Sequence, residues 1–510
     1  MSDNHILLNG SNLTAMSLWR FARQANDPNF FAKIEICPES KKRIEASANY
    51  VQEICEGDEA VYGINTGFGR FAEVRIDDDE LEKLQRNIIL SHCCGTGNIL
   101  KRSTVLAMWL NRLNVICRGH TGVRLETVER IIHFLEKGFL ANVPSRGSVG
   151  ASGDLAPSAH ATIVYIGEGR GSIPINGEFK ELSAEEALQH LEMKPLKLAA
   201  KEGLALINGT QLSTVLACAA IEESQYLLHM ANTALALSME ATRASHKILD
   251  PRIHREKNQT GALACALESY EWIRGDTEIS QSHRDCHKVQ DPYSFRCAPL
   301  VHGTFWDDIE DCTRILDREL NSSTDNPLIF ADEKRSVSGG NFHALYPAKV
   351  CDRLSIGLCQ LMTISERRLS ASMNSDTTGL PTFLINDGGL NSGFMMAQVT
   401  AAALCGEAKS MAHPASVDTI PTNDDREDHV SMGPAAGFKV QHILELARPV
   451  LAIELLAGAQ ALDLLKPLQS SNPLKQLHQK IREHSAFLDH DRYLADDIEA
   501  MTKLINERKL

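Results

Sequence analysis

The stretch QLSTVLACAAIEESQYLLHMANTALALSMEATRAS, residues 211–245, contains few helix breakers and many Ala and Leu residues. Later stretches have the same character, at residues 313–320, 348–371, 392–411, 437–465 and 491–507. Within 437–465, apolar residues recur three and four positions apart, as in Leu451, Leu455, Ala459 and Leu462. Several of these stretches are apolar nearly all round, which is typical of helices buried among other helices. The pattern predicts a mainly α protein in which residues 206–510 form a helical bundle domain.

Residues 1–205 have a different texture, with Gly-rich turns between shorter helical stretches. One β-hairpin is predicted at residues 173–180, where Asn176-Gly177 separates Ile173-Pro174-Ile175 from Glu178-Phe179-Lys180. Asn-Gly favours a type I′ turn because both central residues need a positive φ. We therefore expect residues 1–205 to form an N-terminal α+β domain.

Composition and charge exclude several functional classes. The chain has 510 residues, of which 43% are hydrophobic and 23% charged, as in ordinary globular proteins. Its net charge of −14 disfavours non-specific binding to nucleic acids or anionic membranes, so neither is predicted as a partner. The 13 cysteines are odd in number and form no C-x-x-C pair, which indicates the reduced thiols of a cytoplasmic enzyme.

The run GSVGASGDLAP, residues 147–157, carries a possible chemistry of its own. Gly153 lacks a Cβ, so its amide nitrogen can approach the carbonyl carbon of Ala151 and close a five-membered ring. Loss of water from that ring, and of the Ser152 hydroxyl, would leave an exocyclic methylene, an electrophile made from the chain itself. Asp154 could accept and donate the protons that move during ring closure and loss of water. The alternative interpretation of the run is a flexible turn.

Further polar motifs follow in order along the chain. They are YGINTGFG at 62–69, SHCCGTG at 91–97, NGT at 208–210, QDPYSFRC at 290–297, GGNFH at 339–343 and EDHVSM at 427–432. With residues 147–157, they resemble the aromatic amino acid ammonia-lyase and aminomutase family, and within it the histidine-specific enzymes. The resemblance covers nearly the whole chain, from Tyr62 to beyond Met432.

The resemblance implies a fold and a cofactor. It implies a mainly α fold of the fumarase/aspartase type, with an N-terminal α+β portion that holds the reactive loop and a long central helical bundle. The family makes a 4-methylideneimidazol-5-one (MIO) from the residues that correspond to Ala151, Ser152 and Gly153, so no external cofactor is expected. Family members are homotetramers whose active sites are shared between subunits.

The resemblance also implies roles for individual residues. Tyr62 is expected to be the base that removes the β-proton of the substrate, and Arg296 to bind the substrate carboxylate, because its planar fork matches a carboxylate. The remaining expected contacts with substrate or cofactor are His92, Asn208, Gln290, Tyr293 and Phe342.

Two residues favour L-histidine as the substrate. His92 suits a ring with hydrogen-bonding atoms, and Glu427 corresponds to the carboxylate that the family's histidine enzymes use near the imidazole. The expected reaction is deamination to trans-urocanate and ammonia, the entry to histidine degradation. Three alternatives stay open: a tyrosine ammonia-lyase, an aromatic aminomutase, or a catalytically inactive homologue. The sequence does not choose between attack on the MIO by the amine and attack by the ring.

Two departures from the family pattern concern the predicted site. Leu345-Tyr346 follows the GGNFH motif where Glu-Pro is common, and Arg426 replaces a frequent Gln. The sequence does not decide whether these departures change the preference for the ring of the substrate.

No metal is expected in the protein. The run HRDCH at 283–287 has metal-like spacing but is not the C-x-x-C-H of a haem site. Asp307, Asp308 and Asp311 lie about a turn apart and are expected to face solvent.

Overall fold

The computed structural model describes residues 4–57, 59–67, 75–77, 80–285 and 289–510. Helices dominate it, which confirms the mainly α prediction. They are α1 Ala15–Ala22, α2 Pro38–Glu56, α3 Leu81–His92, α4 Arg102–Ile116, α5 Leu125–Glu136, α6 Leu155–Ile163, α7 Ala184–His190, α8 Glu202–Ile207, α9 Gln211–Ala241, α10 Pro251–Lys257, α11 Thr260–Ile273, α12 Glu278–Gln281, α13 Tyr293–Arg296, α14 Ala298–Leu320, α15 Leu345–Ser372, α16 Ser375–Thr378, α17 Met395–Met411, α18 Gly433–Leu464, α19 Asn472–Arg482 and α20 Ala495–Asn506.

The strands are short and form small sheets. They are β1 His5–Leu8, β2 Lys33–Ile36, β3 Thr96–Ile99, β4 Leu140–Ala141, β5 Pro144–Arg146, β6 Arg170–Ile175, β7 Glu178–Ser183, β8 Leu328–Phe330 and β9 Arg335–Val337. β1 and β2 pair in parallel, and the other pairs are antiparallel: β3 with β5, β4 with β6, β6 with β7 and β8 with β9. The predicted hairpin is confirmed as β6 and β7, with φ of 54° at Asn176 and 79° at Gly177.

Contacts between residues group the chain into two compact units. Unit 1 comprises Met1–Glu222, Cys312–Asp352 and Pro414–Phe438, and unit 2 comprises Glu223–Asp311, Arg353–His413 and Lys439–Leu510. This grouping does not coincide with the two sequential domains, 1–205 and 206–510, because both units take segments from the C-terminal half of the chain. The sequential division stays a prediction.

Unit 2 is built from closely packed helices. The predicted apolar stripe of α18 is buried, with Leu451, Leu455 and Ala459 at most 1% exposed. α11 and α14 approach so closely that a Cβ at Gly303 would lie 2.3 Å from the backbone nitrogen of Ala262. No described helix is both long and apolar enough to cross a membrane.

Unit 1 places three chain segments together. α6 begins at Leu155, one residue beyond the Ala151-Ser152-Gly153 run, and α8 ends where the 208–210 turn begins. A β-bridge joins Gly153 to Gly209 and holds these two segments side by side. The third segment is α3, which ends at His92. Helix ends therefore carry the groups that line the cavity described next.

Candidate active site

A cavity of about 960 Å³ in unit 1 brings together residues that lie far apart in the sequence. The predicted site residues that line it are Tyr62, His92, Ser152, Asn208, Phe342 and Glu427. Leu84, Ile88 and Leu204 supply apolar wall, and Asn326 and Arg426 add polar groups. An apolar cavity with a few converging polar groups is the usual form of a small-molecule site.

The Ala151-Ser152-Gly153 run is held in a conformation that requires glycine. Gly153 has a φ of +74°, and a Cβ built on it would lie 2.1 Å from the carbonyl oxygen of Gly209. That same oxygen accepts a hydrogen bond of 2.7 Å from the backbone nitrogen of Asp154. No other residue fits here without moving the backbone.

Ser152 has polar partners on two sides. Its Oγ donates to Glu427 Oε1 at 2.8 Å, and its carbonyl oxygen accepts from Asn208 Nδ2 at 3.0 Å. The hydroxyl that must leave to form a methylene therefore lies against a carboxylate. The carbonyl that would become the ring carbonyl of an imidazolone is already hydrogen-bonded. The surroundings of Ser152 thus fit an MIO formed from Ala151, Ser152 and Gly153.

Glu427 is fixed by a tight turn. Its Oε2 accepts from Thr422 Oγ1 at 2.6 Å, and the backbones of the two residues form an antiparallel bridge. Between them, Asn423, Asp424 and Asp425 have φ values of 52°, 53° and 59°. Successive left-handed residues without glycine are strained, and such strain is typically found at functional sites. Arg426, one of the departures from the family pattern, completes the turn and lines the cavity.

His92 is an uncharged hydrogen-bonding group in this cavity. Its Nδ1 lies 2.7 Å from the carbonyl oxygen of Ile88, which can only accept, so Nδ1 carries the proton and Nε2 the lone pair. Burial lowers the pKa of His92, although the Ile88 carbonyl and the charge of Glu427 partly counteract this. The ring is therefore neutral at neutral pH.

Asp154 lies beneath the Ala151-Ser152-Gly153 run and is fully buried. Its carboxylate accepts from the backbone nitrogen and Oγ of Ser213, at 2.8 and 3.0 Å. Burial raises its pKa to about 6, against the effect of the Ser213 hydrogen bonds. A carboxyl that titrates near neutrality can give and take protons, as the sequence suggested.

Tyr62 and Phe342 reach the cavity from two loops. Tyr62 begins a turn in which the side chain of Asn65 accepts from the backbone nitrogen of Val61 at 2.7 Å. The rest of that motif, from Phe68 onward, lies outside the described residues. The loop of Phe342 is held by Asn341, whose Nδ2 donates to Ser323 O at 3.2 Å.

The remaining predicted contacts belong to unit 2 and do not line this cavity. Arg296 Nη1 donates to Gln290 Oε1 at 2.5 Å, and the guanidinium lies 5.2 Å from the centre of the Tyr293 ring. Tyr293 lines a separate cavity of about 660 Å³, together with Arg367. The substrate-binding roles of Gln290, Tyr293 and Arg296 stay predictions.

The acidic cluster on α14, which was expected to face solvent, is partly exposed and is also held by hydrogen bonds within the fold. The cluster is half-buried. Asp308 and Asp311 accept hydrogen bonds from Arg353 at 2.6 and 3.0 Å, and Asp307 accepts from Gly261 N at 3.1 Å. Among the described residues no group of His, Cys, Asp or Glu is arranged to hold a metal ion. Cys286 and His287 lie outside the described residues.

Sequence reasoning missed the residues that support the site. Thr422 holds Glu427, Asn326 Oδ1 accepts from the backbone nitrogen of Gly339 at 2.7 Å, and Ser213 holds Asp154. Ser and Thr are common in loops and helix starts, so only the spatial neighbour identifies their role. The left-handed turn before Glu427 has only a weak sequence signal, because it contains Asn and Asp, which tolerate that conformation, but no glycine.

Comparison with known proteins gives a consistent result. A sequence model of the aromatic amino acid lyase family matches residues 13–483. Over 510 residues the chain is 43% identical to the histidine ammonia-lyase of Myxococcus xanthus, covering 100% of this chain and 98% of that protein.

Solved structures agree with the sequence comparison. The crystal structure of histidine ammonia-lyase from Trypanosoma cruzi superposes with a TM-score of 0.89 at 40% identity, over 99% of this chain and 94% of that one. Tyrosine aminomutase from Streptomyces globisporus has a TM-score of 0.91 at 31% identity, over 99% and 97% of the two chains. The fold is thus shared by lyases and aminomutases.

Proposed function

The chain belongs to the aromatic amino acid lyase family, and on that premise we propose that it deaminates L-histidine to trans-urocanate and ammonia. The observation that carries this proposal is the contact of 2.8 Å between Ser152 Oγ and Glu427 Oε1, in a cavity that also holds neutral His92. The carboxylate and the unprotonated Nε2 of this neutral imidazole are both hydrogen-bond acceptors, and they suit a substrate whose ring carries N–H donors.

The proposed electrophile is an MIO formed from Ala151, Ser152 and Gly153. The Gly153 nitrogen adds to the Ala151 carbonyl carbon, one water leaves with that carbonyl oxygen, and a second leaves with the Ser152 hydroxyl. No oxidant or reductant is needed. The β-hydrogen of the substrate is not next to a carbonyl, so a base alone cannot remove it at neutral pH. When formed, the MIO supplies the electrophilic group that makes this removal possible. Asn208 would hold its ring carbonyl, through the contact now made to Ser152 O.

The other groups in the cavity bind and orient the substrate. His92 Nε2 accepts a hydrogen bond from an imidazole N–H, and Glu427 stabilises positive charge on the ring or on the amine. Tyr62 takes the β-proton, and Phe342 packs against the ring. The apolar wall excludes water from these contacts, which strengthens them.

Three further expectations belong to the same proposal. Arg296 binds the substrate carboxylate, with Gln290 and Tyr293 beside it. The protein is a homotetramer with shared active sites. It acts in the cytoplasm on a small-molecule substrate and needs no external cofactor.

The proposal is tested by following urocanate absorbance with L-histidine as substrate. We expect the wild-type chain to be active and Ser152→Ala to be slower by about 10³-fold or more, because the methylene cannot form without the Ser152 hydroxyl. Ser145→Ala, a serine substitution in β5 outside the loop, serves as the matched control and should keep wild-type activity. A wild-type protein that forms no urocanate would refute the proposal.

A further inference from the structure

A buried charged cluster that the proposed reaction does not use is linked by hydrogen bonds to the 208–211 segment, which lies beside the Ala151-Ser152-Gly153 run. Arg112, Lys201 and Asp325 are each at most 1% exposed. Lys201 Nζ lies 2.8 Å from Asp325 Oδ2, and Arg112 Nη2 lies 3.4 Å from Asp325 Oδ1. Burying three charged groups costs free energy, so a cluster of this kind calls for an explanation beyond stability.

The cluster is connected to the 208–210 turn by hydrogen bonds. Arg112 Nη2 donates to the carbonyl oxygen of Ala205 in α8, and Nη1 donates to Thr324 O at 3.0 Å. Lys201 precedes the first turn of α8 with a left-handed φ of 66°. Both ends of this six-residue helix are therefore tied to the cluster.

Gln211 continues the connection. Its side-chain amide is assigned the orientation that satisfies its neighbours, in which Oε1 accepts from Arg112 Nη1 at 3.2 Å and Nε2 donates to Gly209 O at 3.0 Å. Gly209 O is the atom against which Gly153 packs, and it also accepts from Asp154 N at 2.7 Å. An unbroken chain of hydrogen bonds thus leads from the cluster to the peptide beside Gly153.

Gly209 itself has no room for a side chain. Its φ is +129°, and a Cβ on it would lie 2.3 Å from Thr324 O, the oxygen held by Arg112. The Gly209 peptide is therefore held between Gly153 on one side and Thr324 on the other. Fixing Gly209 O fixes Asp154 N, and with it the orientation of the Gly153–Asp154 peptide.

We propose that Gln211, held by the Arg112–Asp325–Lys201 cluster, is a positioning residue for ring closure between Gly153 and Ala151. The inference rests on the proposed function, since it concerns the formation of the electrophile. Gln211 holds the carbonyl that orients the attacking segment, and the cluster holds Gln211. A reaction within one chain depends strongly on such pre-orientation of the reacting atoms.

The test is the intact mass of the purified full chain, measured at set times after synthesis in a cell-free system. The loss of two waters reports ring closure independently of activity. In Gln211→Met, which keeps an unbranched side chain but loses the donor to Gly209 O, we expect dehydration to be slowed by about fivefold or more.

Gln85→Met is the matched control for folding. Gln85 is another fully buried glutamine, and its Oε1 accepts from Gly203 N at 2.9 Å and Leu204 N at 3.3 Å in the same helix α8. Both variants lose buried hydrogen bonds of a single amide, so similar melting temperatures are expected. Only Gln211→Met should accumulate folded chain that is heavier by two waters.

Two results would overturn the inference, and they are distinguishable. If Gln211→Met loses both waters as fast as Gln85→Met and the wild type, Gln211 has no positioning role while the proposed function stands. If the wild-type chain itself never loses water, the electrophile is not made, and the proposed function fails together with the inference.

Discussion

At the scale of single residues, the contact between Ser152 and Glu427 unites two motifs that lie far apart in sequence. The sequence assigned Glu427 to the substrate ring, but the structure also places it against the hydroxyl of Ser152. It therefore lies beside the position where the methylene would form. His92, Asn208 and Phe342 could be predicted because they sit in short motifs. Thr422 and Gln211 could not, because their partners are fixed only by the fold.

Glu427→Gln should lower kcat/KM for L-histidine by about 10²-fold or more, because the amide cannot stabilise positive charge. The fold should persist, since the amide oxygen can still accept from Thr422 Oγ1. Steady-state kinetics on urocanate formation provide the measurement. Asp428→Asn, which neutralises the exposed neighbouring carboxylate, is the control and should retain wild-type kcat/KM. Equal kcat/KM values for the two variants would rule out a charge role for Glu427.

At the scale of elements, local sequence signals predicted the β6–β7 hairpin correctly, but the sequence did not reveal where two helices pack closely. The hairpin of β6 and β7 followed from Asn176-Gly177 because a type I′ turn is a local property. The helix predicted at 313–320 in fact begins at Ala298, as α14. The first half of α14 was not predicted because it contains Gly303 and several acidic residues, which interrupt the apolar pattern. Gly303 is needed there because the helix packs backbone to backbone against α11.

Two helical glycines should respond to alanine with opposite signs. A Cβ at Gly203 in α8 would lie 2.4 Å from Gln85 O, so Gly203→Ala should destabilise the protein by about 1–3 kcal/mol. Gly406 in α17 has nothing within 4 Å of that position, so Gly406→Ala should stabilise it by up to about 1 kcal/mol. Urea denaturation of both variants checks the signs. Destabilisation by both would contradict the packing described for α17.

At the scale of the whole molecule, composition and helical periodicity were enough to predict a mainly α protein. They were not enough to predict how the chain divides, because compact units depend on contacts between distant segments. The buried polar groups of unit 2 were also unpredictable. There, Arg368 pairs with Glu454, while His302 lies between Asn232 and Arg368, at 2.7 and 3.3 Å.

His302 should make the protein less stable in acid. Burial and the charge of Arg368 hold its pKa well below 6.5, whereas in the unfolded chain it titrates near 6.5. As the pH falls below 6.5 the unfolded chain gains a proton that the native state does not, so stability decreases.

In His302→Gln the amide can donate to Asn232 and accept from Arg368 without titrating. The drop in Tm between about pH 7.5 and about pH 5.5 should therefore be smaller than in the wild type. His484→Gln, at an exposed site, should keep the wild-type drop. An identical drop in all three proteins would exclude His302 as the cause.

The most direct test of the account is kcat/KM of the wild-type enzyme for L-histidine, L-tyrosine and L-phenylalanine, measured side by side by product absorbance. His92 and Glu427 in one cavity predict selectivity for L-histidine of about 10²-fold or more over the other two. Faster turnover of L-tyrosine or L-phenylalanine than of L-histidine would contradict the assignment of this cavity to an imidazole.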